Sequence, residues 1–153
     1  MTDEQFWAII ARLDWTRSGD DDAVIRPAVR SLAALGAAAI GEFQDALAAK
    51  LYQLDTAAHA REIGALAYRG PDDDAFSADA FLYARCVIVA NGQALFDHVL
   101  RNPRTFPKDV EFEAVLRLAP EAYRRATGEE FDHLTPVSYE TFSNRTGWPK
   151  PAR

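Results

Sequence analysis

The chain has 153 residues, 48% hydrophobic and 26% charged, with a formal net charge of −6. This length suits one domain that buries a sizeable core, and the composition excludes a globally disordered protein. The acidic balance argues against a nucleic-acid partner. Residues 101–153 hold 9 Lys/Arg against 8 Asp/Glu, so even this more basic part is only near neutral.

The number of cysteines and the N-terminal sequence indicate the cellular compartment of the protein. Cys86 is the sole cysteine, which excludes an intrachain disulfide and disfavours a thiolate zinc site. The opening MTDEQFWAII is acidic where a signal peptide is basic, and no apolar run approaches the roughly 20 residues that cross a bilayer. We expect a cytoplasmic protein with no membrane partner, no metal and no cofactor.

Helical spacing of apolar residues predicts two helices at the start of the chain. Thr2 and Gln5 stand at capping-box spacing before the apolar face of the first helix. The polar loop DWTRSGDDD separates it from a second helix over about 23–35. Pro27 marks the true first turn of this second helix if proline takes its usual early position.

Two more helices are predicted before the acidic stretch at residue 70. Gly36 ends the second helix, and AAAIGEFQDALAAKLYQL then places apolar residues at steps of three and four, the clearest helix in the chain. Asp55 is suited to cap a fourth helix that runs to about Tyr68. The break RGPDDD follows it, with glycine and proline interrupting the backbone.

The apolar run FLYARCVIVA, residues 81–90, is ambiguous between a buried strand and a buried helix. Ser77 is a good N-cap, Asp79 suits a first helical turn, and no alternating strand pattern occurs elsewhere. We therefore predict a central helix that is buried on most sides.

The remaining sequence predicts a short helix at QALFDHVL, a last helix pair over about 110–126 with Pro120 starting its second piece, and an irregular tail. Phe142 and Trp148 indicate that this tail packs on the body. The predicted fold class is all-α, a compact single-domain helical bundle of about six or seven helices over residues 1–153, with an irregular C-terminal tail at 129–153.

The acidic stretch GPDDDAF does not fit a calcium loop. Counted from Asp72, an EF-hand loop needs an oxygen ligand at its fifth position, glycine at its sixth and glutamate at its twelfth. The chain has Phe76, Ser77 and Tyr83 at these positions. The aspartates are better explained as solvated residues ahead of a helix.

Arg85 is the one charge inside the apolar run, so we expect its guanidinium to be partly buried. Two interpretations remain open. Either the arginine forms a structural ion pair with a carboxylate, or it is a cationic site for an anion in a pocket. Candidate carboxylates are Asp79, Glu62 and Asp55.

Asp55, His59 and Glu62 fall at i, i+4 and i+7 on one face of the predicted fourth helix. Such a face can hold an acid–base pair, although an exposed polar edge shows the same spacing. Cys86 lies in the apolar run, where we expect an inert thiol. The chain also lacks G-x-S-x-G, Walker and G-x-G-x-x-G motifs, so common enzyme chemistries are without their signatures.

Five stretches resemble a bacterial family catalogued as domain of unknown function 4240: DEQFWAIIARLDW, an alanine- and leucine-rich helix pair, SADAFLYARCVIVANGQALFDHVLRNP, PEAYRRATGEEF and SNRTGWP. The best match covers residues 77–103. The residues that carry it are Ser77, Asp79, Phe81, Tyr83, Arg85, Gly92 and Pro103. Departures from the family pattern fall at Ala78, Val87 and Gln93. The resemblance implies an accessory or interaction role and no particular reaction.

Together these features predict an accessory module that binds a protein partner or a small anionic ligand. One alternative is an enzyme, a hydrolase or lyase acting on an anionic substrate. Another is an acidic immunity- or antitoxin-like protein that blocks a basic target. The predicted ligand-binding residues are Arg85, Tyr83, Asp79, His59, Asp55 and Glu62.

Overall fold

A computed structural model describes residues 1–150. Seven α-helices and no strand occur in this range, which confirms the predicted all-α fold class. The helices are α1 Asp3–Ile10, α2 Asp21–Ala33, α3 Ala37–Leu54, α4 Ala57–Ala60, α5 Ala78–Ala90, α6 Gln93–Arg101 and α7 Leu118–Thr127. Within these 150 residues, no helix combines the length and apolarity that a membrane crossing requires.

Several helix starts follow from local capping, as the sequence indicates. The predicted capping box of α1 is confirmed, because Thr2 accepts a hydrogen bond from the backbone of Gln5 and the Gln5 side chain accepts one from Thr2. Ser77 caps α5 by accepting from the backbone N–H of Ala80. Each contact satisfies a backbone group that the first helical turn leaves unpaired.

The predicted start of α2 is wrong by about half a turn. Asp20 accepts a hydrogen bond from the backbone N–H of Ala23 at 3.1 Å and so caps a helix that begins at Asp21. Pro27 therefore lies inside the helix rather than in its first turn. A carboxylate cap and two further aspartates next to the positive end of the helix dipole decide this early start.

The predicted fourth helix is much too long. Helix α4 covers only Ala57–Ala60, and Thr56, not Asp55, caps it by accepting from the backbone of His59. The chain then turns through Gly64 at a positive φ of 107°. Because the helix ends before Glu62, the helical face proposed for Asp55, His59 and Glu62 does not form.

Helix α5 runs through the middle of the core, as predicted. Its side chains at Phe81, Cys86, Ile88 and Val89 are fully buried, and one cluster of buried apolar residues includes them and extends from Phe6 to Ala122. An apolar surface of this extent is the main source of stability for the domain.

The predicted helix pair over 110–126 is correct only in its second part. Asp109 bends the chain at a positive φ of 55°, and residues 110–112 form no helix. A 3₁₀ turn then covers Glu113–Arg117, and α7 follows with Pro120 in its first turn, where proline is tolerated. Residues 129–144 contain no helix, and a 3₁₀ turn follows at Arg145–Gly147. Trp148 packs against Phe142 and Tyr68 with ring centroids 4.5 and 5.1 Å apart, so the tail lies on the body as predicted.

Candidate functional site

The guanidinium of Arg85 is fully buried and is held by main-chain and hydroxyl oxygens. Its Nη1 donates to the carbonyl oxygens of Leu51 at 2.8 Å and Tyr139 at 3.0 Å, and its Nη2 donates to Thr141 Oγ1 at 3.0 Å. The group also lies 4.7 Å from the centre of the Phe81 ring. These contacts occupy most of the polar donors of Arg85 within the chain itself.

Burial also affects the ionisation of Arg85. Removal of the guanidinium from water lowers the pKa of Arg85 to about 10, and the carboxylate of Asp55 opposes this shift by favouring the charged form. The arginine remains cationic at neutral pH because this pKa is still far above 7.

Asp55 is likewise fully buried, and three donors of the tail bind its carboxylate. Oδ1 accepts from the backbone of Phe142 at 3.1 Å and from Trp148 Nε1 at 3.0 Å, and Oδ2 accepts from the backbone of Asn144 at 2.9 Å. The Asn144 side chain adds a bond to the carbonyl of Tyr52 at 3.1 Å. A buried carboxylate is stabilised in this way by charge-assisted hydrogen bonds.

Arg85 and Asp55 thus bind one stretch of chain, residues 137–148, which we call the C-terminal segment. Thr141 connects this stretch to α5 as well, since its hydroxyl accepts from Arg85 and donates to the carbonyl of Ala78 at 2.7 Å. The sequence proposed a carboxylate or an external anion as the partner of Arg85. Its hydrogen-bond partners are instead oxygens of α3 and of the C-terminal segment.

His59 is buried next to Thr56. Its Nε2 lies 3.1 Å from the carbonyl oxygen of Val99, so Nε2 carries the proton and Nδ1 accepts from the Thr56 hydroxyl at 2.7 Å. Burial lowers the pKa of His59, and the carbonyl of Val99 opposes that shift. The imidazole is neutral, with both nitrogens bonded inside the protein.

Of the other predicted ligand residues, Glu62 and Tyr83 are half-buried and Asp79 is exposed, and none of them forms a hydrogen bond with Arg85. Glu62 forms an ion pair with Lys108 at 2.8 Å, which lowers the pKa of Glu62. Tyr83 is half-buried on α5, and its pKa is raised first by partial burial and then by Glu113 and Asp79. Of the six predicted ligand-binding residues, Arg85, Asp55 and His59 are thus buried close enough to influence one another's pKa values, whereas Glu62, Tyr83 and Asp79 lie outside this buried group. The ligand-binding role of all six stays a prediction.

The thiol of Cys86 is enclosed in the core. Burial raises the pKa of Cys86 to about 12, so the thiolate is scarce at neutral pH. Among residues 1–150, no cluster of three histidine, cysteine or carboxylate side chains is arranged to hold a metal ion.

A cationic site that sequence reasoning missed lies between α2 and α7. Five arginines and two carboxylates line a cleft of about 580 Å³, which we call the arginine cleft. Its lining residues are Asp22, Arg26, Val29, Arg30, Arg117, Glu121, Arg124 and Arg125. The sequence contains a signal for it, because the charged residues recur at steps of four on both helices and so share a face on each.

The charges of the arginine cleft are only partly compensated. Arg117 donates to Asp22 and to Glu121, both at 2.7 Å, and these contacts raise the pKa of Arg117. Arg124 pairs with Glu130 outside the cleft. The remaining three arginines, Arg26, Arg30 and Arg125, have no carboxylate partner among residues 1–150.

Arginines in the last turn of a helix also stabilise it through the helix dipole. Arg30 occupies this position in α2, as Arg124 and Arg125 do in α7. The dipole accounts for arginine at each helix end taken separately. It does not require the two helices to direct these ends into a shared cleft.

The sequence model of the family described as "Protein of unknown function (DUF4240)" matches residues 1–125, and the chain belongs to this family. The resemblance in the sequence is thereby confirmed. No curated protein and no solved structure matches the chain. The matched range contains Arg85, Asp55 and all eight residues of the arginine cleft, whereas the C-terminal segment lies beyond it.

Proposed function

We propose that this protein is a binding module that holds a small anionic ligand in the arginine cleft. The observation that carries the proposal is the presence of three uncompensated guanidinium groups around one cavity in a protein of net charge −6. A local cationic site in an acidic protein needs an explanation, because like charges in a shared cleft repel one another.

The chemistry of the cleft favours an anion with several oxygen acceptors. Guanidinium groups bind carboxylate and phosphate oxygens through pairs of parallel hydrogen bonds. Three free arginines exceed what one carboxylate can neutralise, so a phosphoryl group or a polycarboxylate is the better match. The volume of about 580 Å³ lies within the range of small-molecule sites.

Binding is favoured over catalysis because of the two carboxylates. Asp22 and Glu121 are the acid–base groups that line the cleft, and Arg117 binds both of them. Both carboxylates are thus engaged in ion pairs inside the protein rather than left free to face a substrate. The alternative of His59 as the acid–base group of an enzyme lacks similar support, because both imidazole nitrogens are bonded inside the protein.

Calorimetric titration and thermal unfolding with inorganic pyrophosphate at low ionic strength test this proposal. At a concentration ten times its Kd, the probe stabilises the folded state by about 1.4 kcal/mol, which raises Tm by about 3–6 °C. The double variant Arg30→Gln/Arg125→Gln removes two free cations and should lose most of this increase.

A matched control is Arg12→Gln/Arg17→Gln, which removes two exposed arginines that do not line the cleft. It should retain the increase in Tm seen with the parent. If pyrophosphate does not stabilise the parent, or if both double variants lose the effect equally, the cleft is not an anion site.

A further inference from the structure

A second surface, beside α5 and the turn after α4, combines an apolar floor with uncompensated negative charge. Residues of α5, of the turn after α4 and of the stretch 109–111 enclose a depression of about 300 Å³, which we call the acidic groove. Its lining residues are Ile63, Ala65, Leu66, Ala80, Ala84, Asp109, Val110 and Glu111. Leu66 is 48% exposed here, so the floor presents a large apolar side chain to solvent.

Main-chain hydrogen bonds hold the walls of the acidic groove in place. The backbone N–H of Asp109 donates to Ile63 at 2.9 Å, and that of Phe112 donates to Tyr83 at 3.2 Å. Asp109 Oδ1 accepts from the backbone of Ala65 at 2.7 Å. A surface already fixed in this way loses little conformational entropy when it binds a partner.

Alternation in the stretch VEFEA leaves the carboxylates of Glu111 and Glu113 exposed beside the groove, whereas Asp109 directs its carboxylate onto the backbone of Ala65. Asp109, Glu111 and Glu113 are exposed, whereas Val110 is half-buried and Phe112 is buried. Asp79 of α5 adds a fourth carboxylate, close enough to Tyr83 to contribute with Glu113 to the raised pKa of that tyrosine.

None of these four carboxylates forms an ion pair with a lysine or arginine among residues 1–150. Lys108 is adjacent in sequence, but its ammonium group binds Glu62. The carboxylates of Asp79, Glu111 and Glu113 therefore have no cationic partner within this part of the chain, whereas Asp109 is held by the backbone of Ala65. The sign of these charges excludes a nucleic acid or an anionic membrane as a partner of the groove.

We propose that the acidic groove is a docking site for a short basic segment of a partner protein. One apolar side chain of the segment packs against Leu66, Ala80 and Val110. Lysines or arginines on either side of it pair with the carboxylates of Asp79, Glu111 and Glu113. A depression of about 300 Å³ accepts one or two apolar side chains, so the contact is small and charge complementarity supplies much of its specificity. This site is separate from the arginine cleft and does not depend on the function proposed for it.

Selection from a random peptide library displayed on phage, with the intact protein as the target, tests the proposal. We expect enrichment of sequences in which lysine or arginine flanks leucine, methionine or phenylalanine. The Kd of a selected peptide should rise about tenfold for Glu111→Gln/Glu113→Gln, the equivalent of about 1.4 kcal/mol. Leu66→Ser should weaken the same peptide to a similar extent.

Two matched controls distinguish binding in the acidic groove from general electrostatic attraction. Asp72→Asn/Asp74→Asn removes the same charge from exposed residues outside the groove, and Leu134→Ser replaces a leucine that is 93% exposed. Both should change the Kd by less than about twofold. The proposal is overturned if selection yields no basic, apolar consensus, or if the groove variants and their controls weaken binding equally.

Discussion

Trp148 donates its indole Nε1–H to Oδ1 of Asp55 at 3.0 Å, across 93 positions of sequence. Asp55 follows the last residue of α3, so this bond fixes the end of the C-terminal segment against the middle of the chain. The same carboxylate also orders the backbone at Phe142, which has a positive φ of 74°. A non-glycine residue adopts this conformation at a cost of about 1–3 kcal/mol, so contacts with the surrounding structure must stabilise it.

Asp55→Asn should therefore reduce the free energy of unfolding by about 3 kcal/mol, because the amide loses the negative charge that three donors share. Urea denaturation followed by tryptophan fluorescence measures this loss. Asp97→Asn, at a half-exposed position, is the matched control. A change below about 0.5 kcal/mol for Asp55→Asn would show that the carboxylate does not hold the segment.

Arg85→Lys should weaken the attachment of the C-terminal segment to α5. Lysine keeps the charge but cannot reach the oxygens of Leu51, Tyr139 and Thr141 together, because it lacks the planar fork of arginine. We expect a loss of about 2 kcal/mol in unfolding free energy and faster proteolysis within residues 137–148. The exposed Arg101→Lys is the control, and equal proteolysis rates for the two variants would count against this role.

The neutral state of His59 predicts a pH dependence of stability. Burial lowers the pKa of His59 in the folded state, whereas the unfolded chain binds the proton with a pKa of about 6.5. The stabilisation is thus complete above about pH 6.5 and is lost as the pH falls below it, by up to about 1.4 kcal/mol per pH unit. Unfolding free energies measured between neutral and mildly acidic pH should show this slope. His59→Gln should flatten it and the exposed His98→Gln should not; parallel slopes in both variants would refute the assignment.

Cys86 provides a direct test of the closed core. Because burial raises the pKa of Cys86 to about 12, the native protein should react very slowly with dithionitrobenzoate at mildly alkaline pH. In urea the same reagent should label one thiol per chain, since the sequence contains one cysteine. Rapid, complete labelling without denaturant would mean that α5 is accessible from solvent.

Sequence reasoning predicted the elements whose determinants are local. The capping box at Thr2 and the cap at Ser77 depend on residues within one turn, and the central helix follows from the length of its apolar run. The prediction of α4 is wrong for the opposite reason. Asp55 has the chemistry of a helix cap, but residues far along the chain engage its carboxylate and leave the cap to Thr56.

The candidate sites likewise have some features with local determinants and others that depend on long-range contacts. The sequence by itself determined that a charge at Arg85 had to be accommodated in an apolar helix, because burial of an unpaired guanidinium is costly. Only the tertiary structure decided that its partners are Leu51, Tyr139 and Thr141. The arginine cleft likewise exists because α2 packs beside α7, which brings together residues about 90 positions apart. Periodicity identifies the face of a single helix, but the pairing of two faces depends on long-range packing that no local pattern records.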